Sequence, residues 1–330
     1  MSSNQSKMIT FDLNDEKCRC LYSGIKSEYL PYIDIKRVTS ESTDYYILAY
    51  KKNFILDRFH VNPDDPFPHD KYNFNINKDE GWFRSVVASN GNILSYSPPK
   101  SYGFELFKQM YENMYENTEK ASKDLDVLYV EQIIEGTMIT IFYQNHGQLY
   151  DNQYGKKGKW IIHTKSNICA DYTYKELDDD DDDTKQYTVE ELFLDACVKY
   201  GFELNDFHKK KNYTFVLQHP RNKIISSIPF PKLYLIDVYK IQQNKINVLN
   251  KQNELHILTN KHIARFVELP RTANINVDRL DKFDEKYYYN KLCTLDTDII
   301  MGVVIKHKDN YYRTKFRNPE YEKLMSESLL

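Results

Sequence analysis

Two apolar spacings alternate along this chain. Near-continuous or alternating runs rich in β-branched and aromatic residues predict strands over residues 45–50, 83–88, 93–97, 160–164, 213–217, 233–239, 299–306 and 311–316. Residues 127–144 read as two strands hinged at Glu135-Gly136. Ser89-Asn90-Gly91-Asn92 turns one pair into a hairpin, and Lys308-Asp309-Asn310 turns the last pair. Phe104, Phe107, Tyr111 and Met114 fall at helical spacing. A second helix starts at Thr188, with Glu191 completing a capping box, and carries the stripe Val189, Leu192, Phe193, Ala196 and Cys197 up to a stop at Gly201. Asn62 to Pro68 is a breaker, and residues 240–297 read as a mixture of helix and loop. Many strands with interspersed helices predict an antiparallel-rich α+β fold.

Composition changes this picture in two places. The formal net charge is −3, which lacks a whole-chain basic footprint for nucleic acid. Asp178 to Asp183 accounts for it: without that run the balance is about +3, and six adjacent like charges must lie in a solvated loop. The 28 tyrosines, with the many Asn, Ile, Lys and Asp, match the usage of AT-rich genomes such as those of large DNA viruses. Five dispersed cysteines without a CxxC pair predict reduced, cytosolic-type thiols and no zinc site. The polar N-terminus has no apolar signal region, and no run of 18 apolar residues predicts a membrane span.

Six segments, in order, carry candidate chemistry. They are Trp82-Phe83-Arg84-Ser85 with Pro98-Pro99-Lys100; Ile133-Ile134-Glu135-Gly136-Thr137; His163-Thr164-Lys165; Phe215-Val216-Leu217-Gln218 with Pro220-Arg221-Asn222-Lys223-Ile224-Ile225; Met301-Gly302-Val303-Val304; and Lys315-Phe316-Arg317 with Tyr321. Their order resembles the motifs of covalent nucleotidyltransferases, nearest to phage-type RNA ligases, and they are similar to those of uncharacterised giant-virus proteins. The resemblance covers about residues 80–323. It implies an ATP-grasp-like ligase core over 76–323, with an N-terminal extension at 1–75, an insertion at 240–297 and a tail at 324–330.

The same resemblance implies roles. Motif I, Lys-x-Asp-Gly, would supply the lysine that attacks the α-phosphate of ATP, but Ile133 stands there and has no lone pair. Glu135 replaces the Asp, and Gly136 matches. The ribose-binding Glu is Gln218, which still accepts and donates a hydrogen bond. The Glu of motif IV, which assists metal catalysis, is Met301, a poor ligand for hard Mg²⁺. Arg84, Lys100, Lys165, Lys315 and Arg317 keep the phosphate-binding cations.

Three readings follow from the resemblance. The first is a catalytically degenerate protein binding nucleotide or RNA in a basic cleft where Arg84, Ile133, Lys165, Gln218, Met301 and Lys315 converge, with ATP or another nucleotide as ligand and no metal. The second is a structural or virion protein that uses only the fold and meets viral partners. The third is an active ligase or capping-type enzyme with a relocated lysine, Lys123 or Lys100, and with Mg²⁺ only in that case. All three place the protein in the cytoplasm, or in the host cytoplasm or virion if viral.

Overall fold

The computed structural model of the chain describes residues 10–12, 33–40, 43–51, 83–116, 128–145, 158–168, 173–175, 186–199, 203–222, 225, 228–259, 267–275, 283–293, 299–307 and 313–328. The breaker at 62–68, the aspartate run, Gly201 and Lys123 lie outside them. The fold is α+β with strand-rich, mainly antiparallel sheets, and it divides into two compact units.

In chain order the strands are β1 (Thr10–Asp12), β2 (Ile33–Ser40), β3 (Thr43–Tyr50), β4 (Val86–Ser89), β5 (Asn92–Tyr96), β6 (Leu128–Gln132), β7 (Thr137–Gln144), β8 (Lys159–His163), β9 (Thr173–Lys175), β10 (Gln186–Thr188), β11 (Asn212–Gln218), β12 (Lys232–Gln242), β13 (Lys245–Leu249), β14 (Val267–Glu268), β15 (Thr272–Asn274), β16 (Gly302–His307) and β17 (Arg313–Arg317). The α-helices are α1 (Phe104–Glu116), α2 (Val189–Lys199), α3 (Lys251–Thr259), α4 (Glu285–Leu292) and α5 (Pro319–Ser328).

The first unit contains two larger sheets. One has the order β1-β13-β12-β11-β7-β8, with β14 parallel to β12; the other has the order β2-β3-β4-β5. The period of two along β7 explains the layering. Ile139 and Ile141 point to one face and join Phe193, Leu192 and Ala196 of α2. Phe142 points to the other and joins Tyr45, Ile47 and Val87 of the smaller sheet. The expected hairpin is present: Asn90 (φ 49°) and Gly91 (φ 73°) both take the left-handed conformation that a two-residue turn requires. The capping box is present as well. The Thr188 hydroxyl accepts from the Glu191 amide at 3.1 Å, and the Glu191 carboxylate accepts from the Thr188 amide at 2.7 Å.

Between these sheets lies one buried imidazole. His163 donates from Nδ1 to the Thr164 carbonyl at 3.0 Å and accepts at Nε2 from the Ser95 hydroxyl at 2.8 Å. A carbonyl cannot donate, so Nδ1 carries a proton, and burial keeps the ring in that neutral tautomer. Burial pushes its pKa down to about 4. An unfolded His163 takes up a proton as the pH falls below about 6.5, while the folded one resists until about 4. Its stabilising contribution is therefore full above about pH 6.5 and is lost on going down to about pH 4, by roughly 3 kcal/mol. Urea unfolding at pH 7 and pH 4 should show a fall in stability that is smaller by that amount in His163→Gln. An equal fall in both proteins would assign the slope to other groups.

The second unit holds the sheet β15-β6-β16-β17. Val130, Val303, Ile305 and Phe316 face a core shared with Phe107 and Tyr111 of α1 and Tyr289 and Leu292 of α4. The sequence expectation for residues 240–297 differs from the structure here. Three strands occur in that stretch: β13 and β14 pair with β12, and β15 pairs with β6. They have two to five residues each, too few alternations to stand out as a period of two. The α5 helix was also not expected. Its signal is Asn318-Pro319, a capping residue followed by proline at the first helical position. Among the described residues no helix is long and apolar enough to cross a membrane.

Candidate functional site

The residues singled out by sequence fall into both units. Each group has its own geometry.

In the second unit, the segments that resemble motifs I, IV and V lie on or directly beside neighbouring strands. β16 pairs with β6 on one side and β17 on the other. The Ile133 amide donates to the Gly302 carbonyl at 2.9 Å, which ties the motif I position directly to motif IV. Tyr321 donates to the buried Glu135 carboxylate at 2.6 Å, which ties motif I to the segment following motif V. Desolvation first, then Glu135, pushes the Tyr321 phenol well above its ordinary pKa, so it remains a donor at neutral pH. The Asn318 side chain donates to the Ile300 carbonyl and its amide donates to that of Met301, both at 3.1 Å.

Strand alternation separates the faces of this sheet. Val130, Val303, Ile305 and Phe316 occupy the apolar face. By the cross-strand register, Glu131, Lys306, Lys315 and Arg317 share the opposite face, and Ile133 continues it past the end of β6. Lys306 and Glu131 are ion-paired there with side chains 8% and 2% exposed. Arg317 lies 3.9 Å from Glu322, so part of its charge is already matched. Lys315, opposite Val304, is half-buried. Lys100 follows the Pro98-Pro99 pair and is half-buried, with its ammonium 5.7 Å from the Tyr50 ring centroid.

In the first unit, Gly136-Thr137 starts β7 against the end of β11. Gly136 has φ 139°, and a Cβ there would meet the Leu217 carbonyl at 2.4 Å, so only glycine fits the hinge. One residue on, Gln218 is buried at the end of β11, opposite Lys232. The turn that follows is held inward. Asn222 donates to the Thr137 hydroxyl at 3.0 Å, and the Arg221 amide donates to His219 Nδ1 at 3.1 Å. That leaves Nε2 of His219 to donate to Asp195 at 2.9 Å. Burial, the largest cause, lowers the pKa of His219, against the opposing pull of Asp195. Lys165 sits half-buried in the turn after β8, and Arg84 half-buried just before β4. Ser85, where the resembled pattern has glycine, is fully buried, and among the described residues no hydrogen-bond partner is found for its hydroxyl.

Sequence reasoning gave no role to Lys306, Glu131 or His219. Tyr321 stood in the motif V pattern, but its bond to Glu135 was not legible. Met301 offers a thioether, a poor ligand for a hard divalent cation, and one oxygen of Glu135 accepts from Tyr321.

No family model and no curated protein matches the sequence. Solved structures do. A mutant of the Naegleria gruberi RNA ligase with ATP and Mn has a TM-score of 0.43 at 10% identity, covering 97% of this chain and 86% of that one. A second mutant, with AMP and Mn, has a TM-score of 0.44 at the same identity and coverage. An apo mutant of the same ligase has a TM-score of 0.43 at 10% identity. Over most of its length the chain is therefore similar to solved RNA ligase structures.

Proposed function

We propose that this protein is a catalytically degenerate, RNA-ligase-like binder that holds nucleotide or RNA phosphates with cations and forms no lysyl-nucleotide. One observation carries the reading. The strands that match motifs I, IV and V are laced together around Ile133, with Lys315 and Arg317 on the same sheet face, while the position of the attacking amine is a hydrocarbon. Phosphoryl attack needs a lone pair at that point, whereas phosphate binding needs only positive charge.

Among the described residues, neither Lys306 nor Lys100 is placed to replace the missing one. Lys306 shares the face but pairs with the level of Tyr129, four residues along the ladder from Ile133 and so roughly 13 Å away at about 3.3 Å per residue. Its ammonium is also held by Glu131. Lys100 belongs to the segment bridged to the outer strand β17 at Tyr102 and Thr314, and β16 separates β17 from β6.

Labelled ATP or GTP with Mg²⁺ or Mn²⁺ should therefore leave no acid-labile, alkali-stable adduct on the protein. An adduct mapped to any lysine refutes the reading. Short single-stranded RNA should bind with an affinity that falls as salt rises. Lys315→Ala should weaken that binding and reduce the log–log salt slope by about 0.7, the share of one phosphate contact on a single strand. Arg317→Ala should weaken it as well and lower the slope by a similar share. Salt-independent binding, or none, would leave a protein that uses only the fold.

A further inference from the structure

The first unit carries an outward surface that, Arg221 aside, the motif positions do not include. Phe230 is 43% exposed, an unusual place for a large apolar ring. Two ammonium groups sit over it: Lys199, from the end of α2, at 6.0 Å from the ring centroid, and Lys232, from the start of β12, at 5.3 Å. A second pair stands towards the other end of α2, with the Arg221 guanidinium 4.2 Å from the Tyr187 ring centroid. The bond from His219 to Asp195 ties α2, which ends at Lys199, to the turn that carries Arg221. The exposed Asp195 carboxylate accepts that bond from a neutral imidazole and keeps its charge, so the surface carries three cations, one anion and two rings. The surface also begins at a motif residue, since Lys232 pairs with Gln218 across the ladder.

Alternating cations and aromatic faces are what a single-stranded polynucleotide meets on its binding proteins, where bases stack on rings and phosphates pair with lysine or arginine. We infer that the Phe230–Lys199–Lys232 and Arg221–Tyr187 surface seats single-stranded RNA. This rests on the RNA-binding reading above and adds to it a place outside the motif cations. In the unbound protein the ammonium groups cover the Phe230 ring. An arriving base takes the ring face, and the displaced ammonium is then free to meet the adjoining phosphate. The exchange favours the bound state because stacking is worth more than an exposed cation–ring contact.

The test uses the full chain, a short labelled oligoadenylate followed by anisotropy, and ATP titrated separately. Phe230→Leu keeps the apolar bulk but removes the π face, and should weaken oligonucleotide binding about tenfold. Phe230→Trp should bind at least as well as the unchanged protein. Lys199→Gln and Lys232→Gln should each lower the salt slope by about 0.7. ATP binding should be unaltered in both Phe230 variants and in Lys199→Gln, which separates this surface from the motif cations. Equal binding of the deoxy strand supports the same seat and assigns recognition to bases and phosphates rather than to the ribose. Unchanged affinity in Phe230→Leu overturns the inference, as does equal binding of duplex RNA, whose base faces are hidden. If ATP binds and the oligonucleotide does not, this surface is not an RNA seat, yet the nucleotide-binding reading stands.

Discussion

Lys306→Met should lower the stability of the protein by roughly 3–5 kcal/mol, the usual cost of removing one partner of a buried ion pair. The carboxylate left behind, Glu131, is 2% exposed, on a strand with β15 on one side and β16 on the other. Little water reaches it, and Lys306 is an ion-pair partner. The intact pair is a different matter. Desolvating two ions offsets most of their attraction, so replacing both with apolar residues is often neutral or favourable. Lys306→Met combined with Glu131→Leu should therefore recover most of the loss. Urea unfolding of the two variants decides this. A double variant less stable than the single one would mean that the pair contributes net stability and that the cost is not an orphaned charge.

That pair also marks where the sequence stops being legible. The hairpin at Asn90-Gly91 and the capping box at Thr188 are local: the residues that make each feature lie within four positions of one another, so their chemistry can be read directly. The stripe of α2 is legible for the same reason, through its helical period. Glu131 and Lys306 are separated by 175 positions. A lone charge in a strand pattern reads as solvated until its partner strand is known. The hinge at Glu135-Gly136 was visible as a break, but only the pairing shows that β6 and β7 enter different sheets. The same holds for the candidate site. The residue types at Ile133, Gln218 and Met301 reveal the missing groups, because chemistry depends on identity. The shared face of Ile133, Lys315 and Arg317 depends on cross-strand register, which no single segment encodes. The Phe230 surface is further still from view, because its rings and cations come from α2, β10, β12 and two turns.

Gly302→Ala should be about as damaging as the loss of Lys306, and it tests the lacing of the motifs directly. Gly302 has φ 151°, a conformation that side chains rarely adopt, and a Cβ built there would lie 2.2 Å from the Phe316 carbonyl oxygen and 3.1 Å from the Arg317 Cα. Both obstacles are backbone of β17, so no rotamer change relieves them. Backbone strain of about 1–3 kcal/mol adds to an overpacking cost of about 1–3 kcal/mol. The expected destabilisation is therefore roughly 3–5 kcal/mol. Gly91 supplies the control. It also has positive φ, but nothing lies within 4 Å of its Cβ position, so Gly91→Ala carries the conformational cost alone, about 1–2 kcal/mol. The difference between the two variants isolates the close approach of β16 and β17. Relief of the Gly302 clash requires β17 to move away, and β17 carries Lys315 and Arg317, while the Gly302 carbonyl holds the Ile133 amide. Gly302→Ala should thus also weaken RNA binding under conditions where the variant remains folded, and Gly91→Ala should not. Equal stability of the two alanine variants would mean that β16 and β17 can separate freely, and the cations of motif V would then not be held in register with the motif I position.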